Sequence, residues 1–300
     1  MSAEPIPVEY HDELTSKRAD LTRLGACWRE FMGHLSPRVV GAAILVVLAA
    51  RIYVGQWSWR DVAPPLVLLA AQPFVEWVIH KYLLHLKPFS IKGKRIELYG
   101  SIQHRRHHHS PSDLDRVLLK PIEAAGFLVQ IAIVIGVLAV GIDGLLGWSV
   151  LGPALTGLLF AYLGLFRYEW SHFLIHTPYV PRSRWYKTIW RNHRLHHFKH
   201  EDYWMGVSSN LGDRLLGTNP DQKAVPRSPT ARTLGTTSGG GISALQARGG
   251  DRRRIAAGRA FRGCSARASR RRRSSAPVPL RFPRSICPRP PSTAPRAHGA

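Results

Sequence analysis

Four long apolar segments constrain this chain more than any other feature, because each is long enough to cross a lipid bilayer as one helix. About 20 consecutive apolar residues span the roughly 30 Å of a bilayer's hydrocarbon. A spanning segment must also satisfy its backbone hydrogen bonds internally, which favours the α-helix. The segments are residues 39–57, 62–86, 121–142 and 145–166. We therefore predict an all-α integral membrane protein built on a four-helix bundle.

The short connections within each pair of segments predict two transmembrane hairpins. Four residues separate the first pair and two separate the second. The long polar stretches then lie on one side, and this side holds nearly all of the lysine and arginine: residues 1–38, 87–120 and everything after Arg167. By the positive-inside rule that side is cytoplasmic. The sequence thus predicts a multi-pass protein with both termini and a helical, histidine-rich cap in the cytoplasm. Arg51 and Glu76, inside the first two segments, indicate helix faces turned toward the bundle interior.

Ten of the fifteen histidines fall into four clusters on the predicted cytoplasmic side. Near neutral pH, unprotonated imidazole is the commonest protein ligand for first-row transition metals. On an α-helix, positions i, i+3 and i+4 lie within one stripe of about 100°. Three clusters have this spacing, whereas His80 and His85, five apart, require a helix end or a metal approached from two sides. The clusters are His80 and His85; His104, His107 and His108; His172 and His176; and His193, His196 and His197.

Ten such histidines predict two metal ions held side by side, because one closed site needs about four ligands. A single buried histidine is more often a hydrogen-bonded core residue, but that interpretation does not explain ten histidines in four ordered clusters. A solvated, loosely metal-binding loop fits only His109 and His200, which lie outside the shared spacing. No cysteine lies near the clusters to indicate a zinc finger or an iron–sulfur centre.

Two acidic residues, Glu76 and Glu169, precede a cluster histidine by four and three positions. A carboxylate placed there can accept the second ring N–H of a ligand histidine and fix its tautomer. A polar contact between helices is an equally good interpretation. We treat both residues as candidates for the shell around the metal ligands.

The four clusters resemble the histidine boxes of the membrane fatty acid hydroxylase superfamily, which includes sterol desaturases, fatty acid 2-hydroxylases and, more distantly, carotenoid hydroxylases. The resemblance covers about residues 38–235, and all ten box histidines are present. It rests on EWVIHKYLLH at 76–85, QHRRHHH at 103–109, EWSHFLIH at 169–176, NHRLHHFKHEDYWMGVSS at 192–209 and GDRLLGT at 212–218. It implies two non-haem iron ions on the cytoplasmic face, O2 as co-substrate, and no catalytic side chain beyond the metal ligands.

The resemblance also implies an oxidoreductase that inserts oxygen into an unactivated C–H bond of a membrane lipid, with a fatty acyl chain as the first candidate. A sterol or carotenoid substrate, and desaturation in place of hydroxylation, stay open. We expect the electrons to come from a separate ferredoxin, cytochrome b5 or reductase, because the 37 polar N-terminal residues are too few for a haem domain. A membrane metal transporter is the alternative from another class, but it would need ligands strung along a transmembrane path.

The last 65 residues differ in composition from the rest of the chain. Residues 236–300 hold fifteen arginines, no lysine and one acid, so fourteen of the 23 net positive charges lie there. Their Gly, Ser, Pro and Arg content is typical of disorder, and also of a GC-rich reading frame translated out of phase. Charge alone supports no specific nucleic-acid binding. We divide the chain into a cytoplasmic segment (1–37), a hydroxylase-like membrane domain (38–235) and a tail (236–300) that we expect to be dispensable.

Overall fold

The computed structural model describes residues 18–235, so the predictions for the tail 236–300 and for residues 1–17 of the N-terminal segment fall outside it. The described chain is mostly helical, with one small antiparallel hairpin of β1 (Phe89–Ile91) and β2 (Lys94–Ile96). Short 3-10 helices span Trp59–Val62 and Gln222–Ala224, and a π-helix spans Ile79–Leu84. The α-helices are α1 (Leu24–Phe31), α2 (Leu35–Val54), α3 (Ala63–Val78), α4 (Tyr99–His109), α5 (Leu114–Val117), α6 (Pro121–Leu146), α7 (Leu151–Ile175), α8 (Arg184–Phe198) and α9 (Leu211–Leu215).

Three stretches of the described chain are long and apolar enough to cross a membrane. They are Leu35–Val54, Trp59–Leu84 and Leu114–Leu146, which contain α2, α3 and α6. The prediction of a helical membrane protein is confirmed at this level. The fourth predicted segment, residues 145–166, overlaps α7 from Leu151 onward, and α7 continues beyond it to Ile175 with polar residues in its last turns.

The composition of α7 follows from its central position. It contacts α2, α3 and α6, so fewer of its residues face lipid. At Gly157 an added Cβ would lie 3.1 Å from Cβ of Pro64, which shows how closely α7 approaches the beginning of α3. Small residues at helix contacts permit such approach inside membranes. Glycine in α7 therefore permits close packing between helices.

The break between α6 and α7 lies a few residues later than the sequence predicts. Helix α6 continues to Leu146, and Gly147 ends it with a left-handed backbone at φ +61°. Glycine adopts this conformation without strain, which is why it so often follows the last residue of a helix. The hairpin turn is therefore residues 147–150, beyond the predicted break.

Arg51 is fully buried, as its place inside an apolar helix predicts. Its guanidinium donates to Oδ1 of Asp61 at 2.7 Å and to Oγ1 of Thr156 at 2.9 Å. These partners belong to the 3-10 helix before α3 and to α7. A charge inside a membrane domain is stable only when paired in this way. This network fixes the C-terminal end of α2 against the N-terminal ends of α3 and α7. Cluster histidines lie at the opposite, C-terminal ends of α3 and α7.

Candidate metal centre

The ten cluster histidines converge into two adjacent groups of five. Within each group, one ligand atom from every member lies within 4.8 Å of those of the others. The groups adjoin, since the ring centroids of His108 and His197, from different groups, are 4.1 Å apart. Group A contains His80, His85, His104, His108 and His196, and group B contains His107, His172, His176, His193 and His197.

Each of the two HXXHH boxes serves both groups. On α4, His104 and His108 belong to group A and His107 to group B, whereas on α8 the pair His193 and His197 belongs to group B. This division follows from helix geometry, because positions i+3 and i+4 point about 100° apart, on either side of position i. One helix can therefore reach two ions that lie side by side.

A π-helical turn brings His80 and His85 together. The backbone N–H of His85 donates to the carbonyl of His80 at 3.2 Å, the i to i+5 bond of a π-helix. On a regular α-helix these side chains would point about 140° apart. In the wider turn their ring centroids are 4.9 Å apart. This is the helix-end geometry that the five-residue spacing requires, and π-turns occur frequently at functional sites.

Three histidines of group A are anchored by backbone carbonyls. Nδ1 of His80 bonds to the carbonyl of Met205, that of His108 to Ala231 at 2.9 Å, and that of His196 to Tyr203 at 2.8 Å. A carbonyl only accepts, so each Nδ1 carries the proton and each Nε2 presents a lone pair. Side-chain patterns did not predict these anchors, because a backbone carbonyl leaves no signal in the residue type.

The nitrogen atoms of the groups fit a pair of cations. Nε2 of His104 lies 3.0 Å from Nε2 of His80 and 3.1 Å from Nε2 of His108. His80 and His108 each present a lone pair there, whereas Nε2 of His104 has at most one proton to donate. In group B, Nε2 of His172 is 3.1 Å from Nε2 of His107. Two nitrogens bound to one ion at about 2.1 Å and at a right angle are about 3.0 Å apart. The donor set therefore matches metal ligation better than hydrogen bonding among imidazoles.

Burial keeps these rings neutral. It lowers the pKa of His108 to about 3, and it lowers the pKa values of His104, His107, His193 and His197 well below the usual value for histidine. Neighbouring imidazoles act in the same direction, because two adjacent imidazolium ions repel each other. At physiological pH the lone pairs are therefore free to bind a cation.

Glu76 and Glu169 are buried, but their hydrogen bonds do not go to a histidine ring. Glu76 accepts from the backbone N–H groups of Val207 and Ser208 and from the Ser208 hydroxyl. Glu169 accepts from the Ser36 hydroxyl at 2.6 Å and from N–H of Leu119 at 2.8 Å. Each carboxylate therefore joins separate parts of the chain. Glu169 connects α7 to Ser36 of α2, and Glu76 connects α3 to the loop that contains Ser208. Glu76 reaches His80 indirectly, since it fixes the loop that supplies the Met205 carbonyl.

His109 and His200 lie outside both groups, in line with their spacing. His109 is exposed at the end of α4, and its Nδ1 is 3.4 Å from the hydroxyl of Ser110. His200 interacts with its neighbours, accepting from N–H of Asp202 at 3.3 Å. Neither belongs to the metal-ligand groups found in residues 18–235.

A single apolar cavity of about 630 Å³ opens onto both histidine groups. His80 and His104 of group A and His107 and His172 of group B form one end of its wall. The rest is mostly aliphatic and aromatic, with side chains from α3, α6 and α7 such as Leu68, Phe127 and Phe160. This volume lies within the roughly 300–1,000 Å³ range of small-molecule sites. The cavity can hold an apolar ligand against the paired imidazole groups.

Comparisons with known proteins agree with this site. A sequence model of the fatty acid hydroxylase family matches residues 65–218, just over half of the chain. A fatty acid 2-hydroxylase of Homo sapiens is 29% identical over 149 residues, which cover 50% of this chain and 37% of the relative. A dihydroceramide fatty acyl 2-hydroxylase of Arabidopsis thaliana is 29% identical over 167 residues, covering 55% of this chain and 65% of the relative. The match thus spans less than two thirds of either relative. No solved structure matches significantly.

Proposed function

This chain belongs to the fatty acid hydroxylase family, and from that premise we propose that it is a membrane-bound diiron oxygenase that hydroxylates a fatty acyl chain. The observation that carries the proposal is the pair of buried five-histidine groups at the end of one apolar cavity. The names of the relatives, a fatty acid 2-hydroxylase and a dihydroceramide fatty acyl 2-hydroxylase, favour carbon 2 of the acyl chain as the oxidised position.

Groups A and B would each hold one iron ion. Two irons bound there would supply the activation of O2 and the transfer of one oxygen atom into a C–H bond. The second oxygen atom leaves as water, so each turnover consumes two electrons and two protons from a separate ferredoxin, cytochrome b5 or reductase. The protein's own contribution is the neutral imidazole set, in which the carbonyls of Met205, Ala231 and Tyr203 orient three rings of group A.

The cavity wall would bind and orient the acyl chain. Apolar side chains of α3, α6 and α7 exclude water from the reacting C–H bond and replace the lipid environment that the chain leaves. Because His107 and His172 line the cavity, an acyl chain bound in it would have its reacting carbon beside the metal groups. Positioning of this kind selects one C–H bond among many similar ones.

We further propose that α2, α3, α6 and α7 form the four-helix membrane domain predicted for residues 38–235, with α2 beginning three residues earlier at Leu35. Both termini and the helical cap that carries α4 and α8 would lie in the cytoplasm. The contacts of α7 with the other three helices support the bundle. The basic residues of the connecting segments, on the same side as the histidines, support the orientation.

Heavy-isotope oxygen and lipid mass spectrometry test the proposed reaction. The chain is expressed in a host of known lipid composition that is supplied with isotopically labelled O2. Host cells that do not express the chain are the control. The expected result is a set of acyl lipids that carry one labelled oxygen atom at carbon 2. Lipids that lose two hydrogens without gaining oxygen, or oxidised sterols or carotenoids, would contradict acyl hydroxylation. Metal uptake by sealed vesicles without lipid oxidation would support a transporter instead.

Gly164 is expected to set the acyl-chain length that the cavity accepts. It lines the cavity eight residues before His172, about 12 Å along α7. No atom lies within 4 Å of an added Cβ, so a leucine there extends into open space. We expect Gly164→Leu to lower hydroxylation of the longest acyl chains about tenfold relative to shorter ones. Chromatography of the hydroxylated products measures the change.

Gly136→Leu is the matched control for this prediction. Gly136 also has no atom within 4 Å of an added Cβ, but it is exposed on α6, away from the cavity wall. Its leucine variant should keep the wild-type product distribution. Equal changes in both variants, or an unchanged distribution in Gly164→Leu, would show that the cavity does not hold the acyl chain.

A further inference from the structure

Residues 228–234, which we name the strap, join the two helices that carry the HXXHH boxes. The strap lies beyond residues 65–218, the part of the chain that matches the family. N–H of Ser228 donates to the carbonyl of Lys199 at 2.7 Å, directly after α8. The hydroxyl of Thr230 donates to the carboxylate of Glu201. One end of the strap is therefore fixed to the segment that follows α8.

The other end of the strap is fixed to the end of α4. The Arg232 guanidinium donates to the carbonyl of His108 at 3.1 Å and to the carbonyl of His109 at 2.7 Å. These carbonyls are in the last turn of α4, where the backbone acceptors have no intrahelical partner. A cation also stabilises the negative end of a helix dipole. Arg232 thus holds the helix end that presents His108.

The strap also contacts the ring of His108. The Ala231 carbonyl accepts from Nδ1 of this ring at 2.9 Å, and Ala231 is buried at 2% exposure. Ala231 and Arg232 are consecutive, so the bonds of Arg232 to the α4 backbone fix the carbonyl that orients the His108 ring. The ring that the strap contacts, His108, belongs to group A, so the strap acts directly on that group.

We propose that the strap is a positioning element for one of the two metal sites, with Arg232 as its principal positioning residue. This inference rests on the proposed metal centre. Its consequence is asymmetric: loss of the Arg232 bonds weakens the ion in group A and leaves the ion in group B bound. Outer partners of metal-ligating histidines typically contribute 10–100-fold to metal affinity.

Electrostatics and positioning predict opposite effects for Arg232. Its positive charge repels a metal cation, so removal of the charge alone would strengthen metal binding. Loss of positioning weakens it. The direction of the change therefore distinguishes a positioning residue from a charge that merely lies nearby.

Titration of the purified full chain with cobalt(II) tests the proposal, with visible absorption and bound metal per chain as readouts. Wild type is expected to bind two ions. Arg232→Ala should bind one of them about 10–100-fold more weakly, with an altered spectrum for that ion alone. Arg232→Lys keeps a cationic donor, so its affinity for this ion should lie between those of wild type and Arg232→Ala. The control Arg182→Ala removes an exposed arginine between α7 and α8, away from the strap, and should match wild type.

Two outcomes would overturn the inference, and a third would contradict the metal centre on which it rests. Unchanged or tighter cobalt binding by Arg232→Ala would show that the strap does not position His108. Equal weakening of both ions would show a general effect on folding. Wild type that binds no cobalt would instead contradict the proposed metal centre itself, so failure of the inference and failure of the function are distinguishable.

Discussion

Replacement of His107 by alanine is expected to abolish lipid hydroxylation and to remove the ion of group B. His107 is 2% exposed, its Nε2 lies 3.1 Å from Nε2 of His172, and its ring centroid is 4.6 Å from those of His176 and His197. It also lines the cavity, so it contacts both the metal group and the substrate space. Loss of an outer partner already costs up to about 100-fold in activity or affinity, so loss of a ligand should exceed that. Lipid mass spectrometry and iron per chain are the measurements.

His109→Ala is the control for His107→Ala. His109 is two residues away on the same helix, but it is exposed and lies outside both groups. Its variant should retain wild-type product and iron. If His107→Ala kept more than a tenth of wild-type product, or if His109→Ala lost as much as His107→Ala, the assignment of ligands would be wrong.

The sequence carries most of the information about which residues form the candidate site. Histidine is scarce enough that ten of them in four ordered boxes indicate one shared site, and helix spacing predicts that the members of three of the boxes share a helix face. The division of each box between two groups was not predicted. It depends on where α4 and α8 lie relative to each other, which is a property of tertiary packing. The spacing of His80 and His85 indicated an irregular helix end but did not specify the π-turn that provides it.

The hydrogen bonds from backbone carbonyls to the histidine rings were not predicted, for a physical reason. A carboxylate near a histidine in sequence is visible, and Glu76 and Glu169 were singled out on that basis. The contacts that fix the rings instead come from carbonyls of Met205, Tyr203 and Ala231, and every residue has a carbonyl. Only the path of the backbone decides which carbonyl reaches a ring, so the residue types of these loops do not disclose their role.

A similar limit applies to the membrane segments. Hydropathy located α2, α3 and α6 because lipid-facing residues must be apolar. It also located the apolar first part of α7, but not its last turns, where polar residues such as Glu169 and His172 serve the site. Hydropathy therefore marks where α7 begins to be apolar but does not predict how far the helix continues beyond Phe166.

Substitution of Gly206 by alanine is expected to unfold the loop that holds His80. An added Cβ would lie 2.0 Å from the carbonyl oxygen of Ser209, a distance that no arrangement of neighbouring side chains can relieve. The backbone has little freedom to move, because N–H of Gly206 donates to Asp213 at 2.7 Å and Glu76 fixes Ser208. We expect a loss of about 3 kcal/mol in the free energy of unfolding, the upper end of overpacking effects. Thermal unfolding in detergent measures it.

Loss of the ion in group A should accompany this destabilisation, because the Met205 carbonyl that orients His80 precedes Gly206 directly. Gly126→Ala is the control, since Gly126 lies on α6 with no atom within 4 Å of an added Cβ, and alanine favours a helix over glycine by roughly 1 kcal/mol. That variant should unfold at the wild-type temperature or above it. A Gly206→Ala protein with wild-type stability and wild-type iron content would mean that the loop from Met205 to Ser209 does not support the histidines in the way its hydrogen bonds indicate.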